Sequence, residues 1–444
     1  MSDMRIEQVR LLIQQMPDGA LKTLESALSF STGADPKLDR VQSLVGLEQR
    51  DRRLGAAILA PIEPLCRQSL FSSQPLPKDL LRRLWVALKQ DEPALAAEAH
   101  EAARKLRRDD DPPPVFDTLC RQAADRLRSR EGTAFTALAA ALNAQRPGLV
   151  EQTARSLRLA PIARAILPRL PGWLWKMNED CVPAIRVAYR DAAAEGEDLA
   201  PDFTEMLAAH LDPPDRVLRL ISAVMDRPSD RYLASSEMAR FGERLLDETD
   251  RRVEQVRRFD PAAGVEGGTA LAADILAATH SFAEFEQWVA LGREGPWAIR
   301  LAAQKRNLAL NVEARLKELT RLVDTALPVQ QIRQGRNIFK GAAKLDQDPD
   351  AVAVERARGL LALLADSRMT AFTSGFGSIR NKVIGSLDTE LHQYVEGLLD
   401  VVHTSEHAAV IERARMFLEI AAEFLGFVRE PKAAEIVRRR AAAA

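Results

Sequence analysis

The stretch from residue 296 to residue 327 constrains this fold most, because it holds no glycine and its single proline comes first. Pro296 suits the first position of a helix, where the amide hydrogen that proline lacks would have no partner. Pro328 ends the stretch, because a residue before proline is driven out of the α region. Good helix formers fill the space between the two prolines. The sequence therefore predicts one helix that is about 48 Å long.

The apolar residues of this stretch recur at helical spacing and predict a broad face that packs against a core. They are Trp297, Leu301, Leu308, Val312, Leu316, Leu319, Leu322, Val323 and Ala326. A coiled-coil register would place Arg315 and Lys305 in the seam, so we predict the central helix of a bundle. Gln304, Asn307 and Asn311 form a polar edge, which either faces water, caps neighbouring backbone or recognises a partner.

Composition extends this prediction to the whole chain. Aromatic residues make up 5% of the sequence, and β-branched or aromatic runs are scarce, which argues against sheets. The chain has 444 residues, which is long for a single hydrophobic core. We predict an all-α protein, either a multi-helix bundle or an irregular α-solenoid of helix pairs, with two to three sub-domains. No repeat of fixed length is visible along the chain.

Proline and charge mark the expected domain boundaries. The segment RRDDDPPP at residues 107–114 cannot hold a helix and predicts a linker. A second boundary is expected at the prolines that follow Asp212. The predicted pieces are an N-terminal helical domain, a middle helical segment and a C-terminal helical bundle, at residues 1–106, 115–212 and 213–444.

Within the last piece, the sequence predicts a helix over residues 236–259 and then a flexible loop, DPAAGVEGG, with three glycines. Ser281 and Glu284 have the spacing of a capping box, which predicts the start of a short helix. After the central helix, four further helices are predicted, at residues 329–344, 351–366, 378–402 and 405–428.

Charge and cysteine content limit the classes of function. The formal net charge is −1, so no global field draws the chain to nucleic acid or to an anionic membrane. Cys66, Cys120 and Cys181 are widely spaced and form no CxxC pair, which fits a reducing compartment. No apolar run reaches the roughly 20 residues that a membrane span needs. We therefore expect a cytoplasmic protein without a membrane span, a bound cofactor or a metal.

One short motif has the order of zinc ligands in inverted zinc peptidases. His403, Glu406 and His407 form H-x-x-E-H, in which two histidines bind zinc and the glutamate acts as a base. Thr404 and Ser405 are natural helix caps, so a helix that begins there would separate the two histidines. A third ligand is also required, and no nearby acidic residue is in reach. The motif therefore supports zinc-dependent hydrolysis only as an alternative.

A glycine-containing turn precedes the predicted helix at residues 378–402. Its sequence, TSGFGS, could present backbone N–H groups to an anion, with Arg380 and Lys382 adding charge. The spacing of a P-loop is absent, however, and no strand precedes the turn. The alternative is an ordinary connection between helices, with Ser378 as the cap.

A row of basic residues at three- and four-residue steps is the second candidate for anion binding. It lies on the predicted helix at residues 329–344, and its members are Arg333, Arg336, Lys340 and Lys344. If this helix and the predicted helix at residues 378–402 lie side by side, the row joins Arg380 and Lys382 in one positive patch. The alternative is a solvated basic face without a partner.

These observations favour a non-catalytic helical scaffold or adaptor that binds another protein, since no serine–histidine–acid or cysteine–base pattern is present. The basic patch would suit an acidic protein partner. The alternatives are the zinc-dependent hydrolase and weak binding of nucleic acid through the same patch. The sequence leaves the oligomeric state and the identity of the partner open.

Overall fold

The computed structural model describes residues 3–29, 36–72, 74–107, 110–177, 181–196, 198–333 and 339–443. The predicted all-α class is confirmed, since helices form nearly all of the regular structure in these residues. Contacts divide the chain into two compact units, Met1–Asp226 and Arg227–Ala444. No helix in the described part of the chain combines the length and the apolar character that crossing a membrane requires.

The first unit consists of helices that follow one another with short connections. They are α1 (Asp3–Gln15), α2 (Asp18–Ser29), α3 (Pro36–Leu59), α4 (Leu80–Asp91), α5 (Pro93–Lys105), α6 (Pro114–Ser129), α7 (Thr133–Gln145), α8 (Leu149–Ile166), α9 (Leu170–Trp175), α10 (Cys181–Ala194), α11 (Leu199–Ala208) and α12 (Val217–Met225). A 3-10 turn, Ala60–Cys66, joins α3 to the segment before α4. One continuous apolar core runs from Leu54 to Ala223.

The proline-rich segment 107–114 lies within this unit. Helices α5 and α6 on its two sides contact each other, and both contribute buried residues to the one core. The predicted division into residues 1–106, 115–212 and 213–444 stays a prediction, because the two units are defined by contact density and not by independent folding.

Arg164 on α8 links three elements of the first unit. Its side chain is buried, at 8% exposure, and its Nε donates to Asp117 of α6 at 2.9 Å. The two terminal nitrogens donate to the carbonyl oxygens of Ala57 and Ile58, in the last turn of α3. Carbonyls in the last turn of a helix have no partner within the helix, so Arg164 supplies donors to both oxygens, and the thiol of Cys120 also lies 3.5 Å from the oxygen of Ile58.

His210, which follows α11, is a half-buried titratable residue of the first unit. Its Nε2–H donates to the carbonyl oxygen of Pro61 at 3.0 Å. Burial lowers the pKa of His210 below its usual value of 6.5, although the bond to Pro61 acts in the opposite direction. Folded protein therefore takes up this proton at a lower pH than unfolded protein.

We expect the first unit to lose stability as pH falls below 6.5 toward the folded-state pKa of His210, and to be most stable above 6.5. The reason is that the unfolded chain binds the proton first in this window. Urea unfolding of the wild type and of His210→Gln at a series of pH values measures the effect. The slope of stability with pH should be smaller in His210→Gln, and equal slopes would contradict the assignment.

The second unit contains longer helices and one pair of strands among its described residues. Its elements are α13 (Asp230–Ala234), α14 (Ala239–Arg258), α15 (Gly264–Trp288), α16 (Pro296–Ala326), β1 (Val329–Arg333), β2 (Phe339–Ala343), α17 (Ala351–Asp366), α18 (Gly377–Thr404), α19 (Ala408–Val428) and α20 (Pro431–Ala443). The predicted helices at 236–259, 351–366, 378–402 and 405–428 correspond to α14, α17, α18 and α19.

Helix α16 is the predicted central helix, and its end at Ala326 agrees with the position of Pro328. Its predicted apolar face is buried, apart from Leu322, which is half-buried. Trp297 inserts beside Gly242 of α14, where an added Cβ would lie 2.2 Å from the indole ring. The helix packs against α14, α17 and α18, as expected for the centre of a bundle.

The polar edge of α16 binds the backbone of α14. Gln304 donates from Nε2 to the carbonyl oxygen of Leu246 at 2.8 Å, and Asn311 donates from Nδ2 to that of Val253 at 3.1 Å. The two acceptors follow each other along α14 in the same order and at the same spacing as the two donors along α16, so the two helices run parallel. Of the alternatives for this edge, capping of neighbouring backbone applies to these two residues, whereas Asn307 is exposed.

The predicted flexible loop with three glycines is wrong. The segment forms a short 3-10 turn, Pro261–Ala263, and then the first turns of α15. A Cβ on Gly268 would lie 2.0 Å from the carbonyl oxygen of Gly359 on α17, so the glycines allow α15 and α17 to pack unusually closely. The predicted capping box is wrong as well, because Ser281 and Glu284 lie inside α15.

The predicted helix at residues 329–344 is also wrong. Strands β1 and β2 pair in antiparallel register, with Val329 opposite Ala343 and Arg333 opposite Phe339. The three- and four-residue steps of the basic row predict one face of a helix, whereas the described residues of this segment form strands.

Candidate functional site

The H-x-x-E-H residues lie at a break between two helices. His403 is in the last turn of α18, where its Nδ1 lies 2.7 Å from the carbonyl oxygen of Leu399. His407 is the N-cap of α19, so the two histidines belong to different helices. Across the described residues, no three histidine, cysteine, aspartate or glutamate side chains come together as metal ligands would.

The described members of the basic row do not lie on a helix. Arg333 and Lys340 belong to β1 and β2, and Arg336 lies outside the described residues. Lys344 is exposed, and its Nζ lies 3.5 Å from a carboxylate oxygen of Asp346. The binding of an anionic partner by this row stays a prediction, but the helical face on which it was based does not exist.

The hairpin borders an acidic groove. This groove has a volume of 720 Å³ and is lined by residues 341–343 of β2 together with Asp324, Glu390 and Asp400. Burial, and then the charge of Glu390, raise the pKa of Asp324 above its usual value. The carboxylates of Asp324, Glu390 and Asp400 line this groove, so the groove itself does not favour an anion.

Arg380 has a structural role, in contrast to the predicted contact with an anion. Its exposure is 7%, and its Nε donates to the carbonyl oxygen of Leu364 at 2.9 Å. Burial, and then the charge of Arg368, lower the pKa of Arg380. Arg380 thus ties the start of α18 to the end of α17, while Lys382 is exposed.

The turn that Arg380 supports carries two large apolar side chains into solvent. Met369 is 84% exposed and Phe372 is 73% exposed, both on the connection between α17 and α18. Adjacent exposed side chains of this size mark binding surfaces more often than scattered ones do. Little in the sequence indicates these two exposed side chains, because the segment has neither helical nor strand periodicity.

Buried contacts join this turn to α15. Thr279 of α15 and Ser374 share a buried hydrogen bond of 2.5 Å between their hydroxyl oxygens. Gly375 adopts the left-handed conformation, with a φ of 80°, which reverses the chain before α18. A Cβ added to Gly377 would lie 2.9 Å from the ring of Phe372, so a side chain at this position would collide with the ring. Met369 and Phe372 therefore lie on a turn that Ser374 ties to α15.

A face of α16 borders the same turn. The position of a Cβ on Gly375 lies 4.0 Å from the Cβ of Ala309. Leu310 is the next residue and is exposed, and Arg306 lies one turn earlier on the helix. We use the name turn surface for Met369, Phe372 and Leu310 together with two basic residues, Arg306 and Arg368.

The basic residues of the turn surface have no acidic partner among the described residues. Arg306 and Arg368 are both exposed, and no carboxylate described here lies within ion-pair distance of either. By contrast, Arg300 on the same helix α16 contacts Glu243, Asp247 and Asp250. The turn surface therefore combines apolar area with uncompensated positive charge.

Comparisons with known proteins add no relative to this description. Searches against protein-family models, curated proteins and solved structures give no significant match to the chain.

Proposed function

We propose that this protein is a non-catalytic helical interaction protein, and that its turn surface binds an amphipathic, acidic helix of a protein partner. The observation that carries the proposal is the exposure of Met369 and Phe372 on a turn with a fixed backbone. Apolar side chains at the centre of an interface supply most of the affinity, and a surface that is already ordered loses little entropy on binding.

The charge of the turn surface decides the chemistry of the partner. Arg306 and Arg368 are the exposed basic residues of the turn surface, so a helix with carboxylates beside its apolar stripe complements their charge. Helices with apolar residues at three- and four-residue spacing commonly bind to such apolar surfaces. A zinc-dependent hydrolase is not proposed, because His403 and His407 belong to separate helices.

A pair of synthetic helical peptides tests the proposal. Both carry leucine along one face, and the other face is rich in glutamate in one peptide and in lysine in the other. We expect the glutamate peptide to bind with a Kd in the micromolar range, and Phe372→Ser to weaken binding about ten- to a hundredfold, since burying one such side chain contributes roughly 1.5–3 kcal/mol. Fluorescence anisotropy with labelled peptides measures both values.

The matched control is Val352→Ser, which removes an exposed apolar side chain at the start of α17, outside the turn surface. It should leave peptide binding unchanged. Equal affinity for the two peptides, or binding of the glutamate peptide that does not depend on Phe372, would contradict the proposal. Binding to anionic lipid vesicles without binding to the peptide would assign the surface to membranes instead.

A further inference from the structure

Helix α16 also exposes a line of residues that leads away from the turn surface. Ile299 is 59% exposed and Leu310 is 57% exposed, and Ala303 and Arg306, which lie between them, are exposed as well. The steps between these four residues are four, three and four, so they share one side of the helix. We use the name outer stripe for Ile299, Ala303, Arg306 and Leu310. The last two also belong to the turn surface, so the two surfaces are continuous.

The outer stripe has two defined ends. Helix α16 begins at Pro296, just before Ile299. Beyond Leu310 the same side of the helix continues with Glu313 and Lys317, whose side chains pair at 2.7 Å. From Ile299 to Leu310 the helix rises by about 16 Å, at roughly 1.5 Å per residue. The stripe is therefore about three turns long, which is more than one side chain of a partner can cover.

The charge of the outer stripe opposes a second copy of this chain as its occupant. Arg306 is near the middle of the stripe, and no carboxylate of the described residues lies within ion-pair distance of it. If two copies packed on each other about a two-fold axis at the middle of the stripe, their Arg306 side chains would lie within about one helical turn of each other. Like charges that face each other across an interface cost free energy, whereas a carboxylate at that point would be favourable.

We infer that the helix bound by the turn surface continues along the outer stripe as far as Ile299. This inference rests on the proposed function and adds the length and the residue pattern of the partner. Two helices that cross at about 20° stay in contact over several turns. The partner helix therefore carries apolar residues about 11 positions apart, which contact Leu310 and Ile299. Between them it carries a carboxylate that contacts Arg306.

Ile299→Ser tests the far end of the outer stripe. The labelled glutamate peptide is made with about 18 residues, which form about 27 Å of helix and span the whole stripe. We expect Ile299→Ser to weaken its binding about tenfold, the lower end of what burial of an apolar side chain contributes, because Ile299 is already partly covered in the free protein. Arg306→Glu should weaken the same peptide by at least about fivefold, the upper value for one exposed ion pair, and should strengthen binding of the lysine peptide. Fluorescence anisotropy measures these affinities.

Val352→Ser is again the matched control and should leave binding unchanged, since Val352 is exposed on α17 outside both surfaces. The far-ultraviolet circular dichroism of each variant shows that the fold is intact. If Phe372→Ser weakens binding and Ile299→Ser does not, the outer stripe is not part of the interface, although the proposed function stands. If neither variant changes the affinity, or if the peptide does not bind, both proposals are overturned. Sedimentation that shows a dimer for the wild type and a monomer for Ile299→Ser would assign the stripe to a second copy instead.

Discussion

Gly268→Ala is expected to lower the free energy of unfolding of the second unit by about 3 kcal/mol. The added Cβ would lie 2.0 Å from the carbonyl oxygen of Gly359, which is backbone and cannot move aside as a side chain could. Helix α17 must therefore shift away from α15, which loosens the contact between these two helices. Urea unfolding followed by circular dichroism measures the change.

Gly385→Ala is the matched control, since Gly385 lies inside α18 with nothing within 4 Å of its added Cβ. At this site alanine should stabilise the protein by about 0.5–1 kcal/mol, through its better helix propensity. The same chemical change thus has opposite expected signs at two helical positions. If Gly268→Ala were as stabilising as Gly385→Ala, the close approach of α15 and α17 would be refuted.

Arg164→Ala is expected to destabilise the first unit by about 2–3 kcal/mol. The substitution removes the donor for the carbonyl oxygen of Ala57, leaves that of Ile58 with only the thiol of Cys120, and takes the ion pair from the partly exposed carboxylate of Asp117. Each buried group that loses its partner adds a desolvation cost, which exceeds the value of the bond itself. Thermal and urea unfolding should both show the loss.

Arg158→Ala provides the comparison on the same helix. Arg158 is about one-third exposed and pairs with Glu195 at 3.2 Å and with Asp125 at 3.7 Å. Exposed pairs contribute roughly 0–1 kcal/mol, so this variant should unfold almost as the wild type does. Similar losses in Arg158→Ala and Arg164→Ala would mean that capping of α3 is not the source of the stability.

The sequence was sufficient for features that depend on neighbouring residues. Helix α16 was predicted because Pro296 and Pro328 mark its ends and because its apolar residues have a helical period. Its polar edge was harder to interpret, since Gln304 and Asn311 use acceptors on α14, which is distant in the sequence. The residue types indicated a capacity for hydrogen bonds but not the identity of the acceptor.

The failures share a different cause, which is contact between distant segments. The glycines of α15 suggested a loop by propensity, but the approach to α17 makes a residue without a side chain necessary at Gly268. The strands β1 and β2 stabilise each other through cross-strand pairs, which no helical pattern at residues 329–344 reveals. Tertiary packing overrides local preference in both cases.

The candidate site illustrates the same limit. Arg380 was identified as a charge that could face a partner, whereas its burial against Leu364 depends on how α17 and α18 meet. Met369 and Phe372 were missed, because exposure of an apolar side chain is a property of the folded surface. Their signal in the sequence is weak, consisting of two large apolar residues between the end of one helix and a glycine turn.

The hydrogen bonds between α16 and α14 join side-chain donors to backbone acceptors, so a substitution affects the two helices differently. Gln304 and Asn311 supply side chains, whereas Leu246 and Val253 supply carbonyl oxygens that every amino acid possesses. A substitution on α16 can therefore abolish a bond, whereas one on α14 leaves its acceptor in place. Among diverging copies of this gene, the contact would leave no paired substitutions. It would be inherited as two amide residues on a single helix.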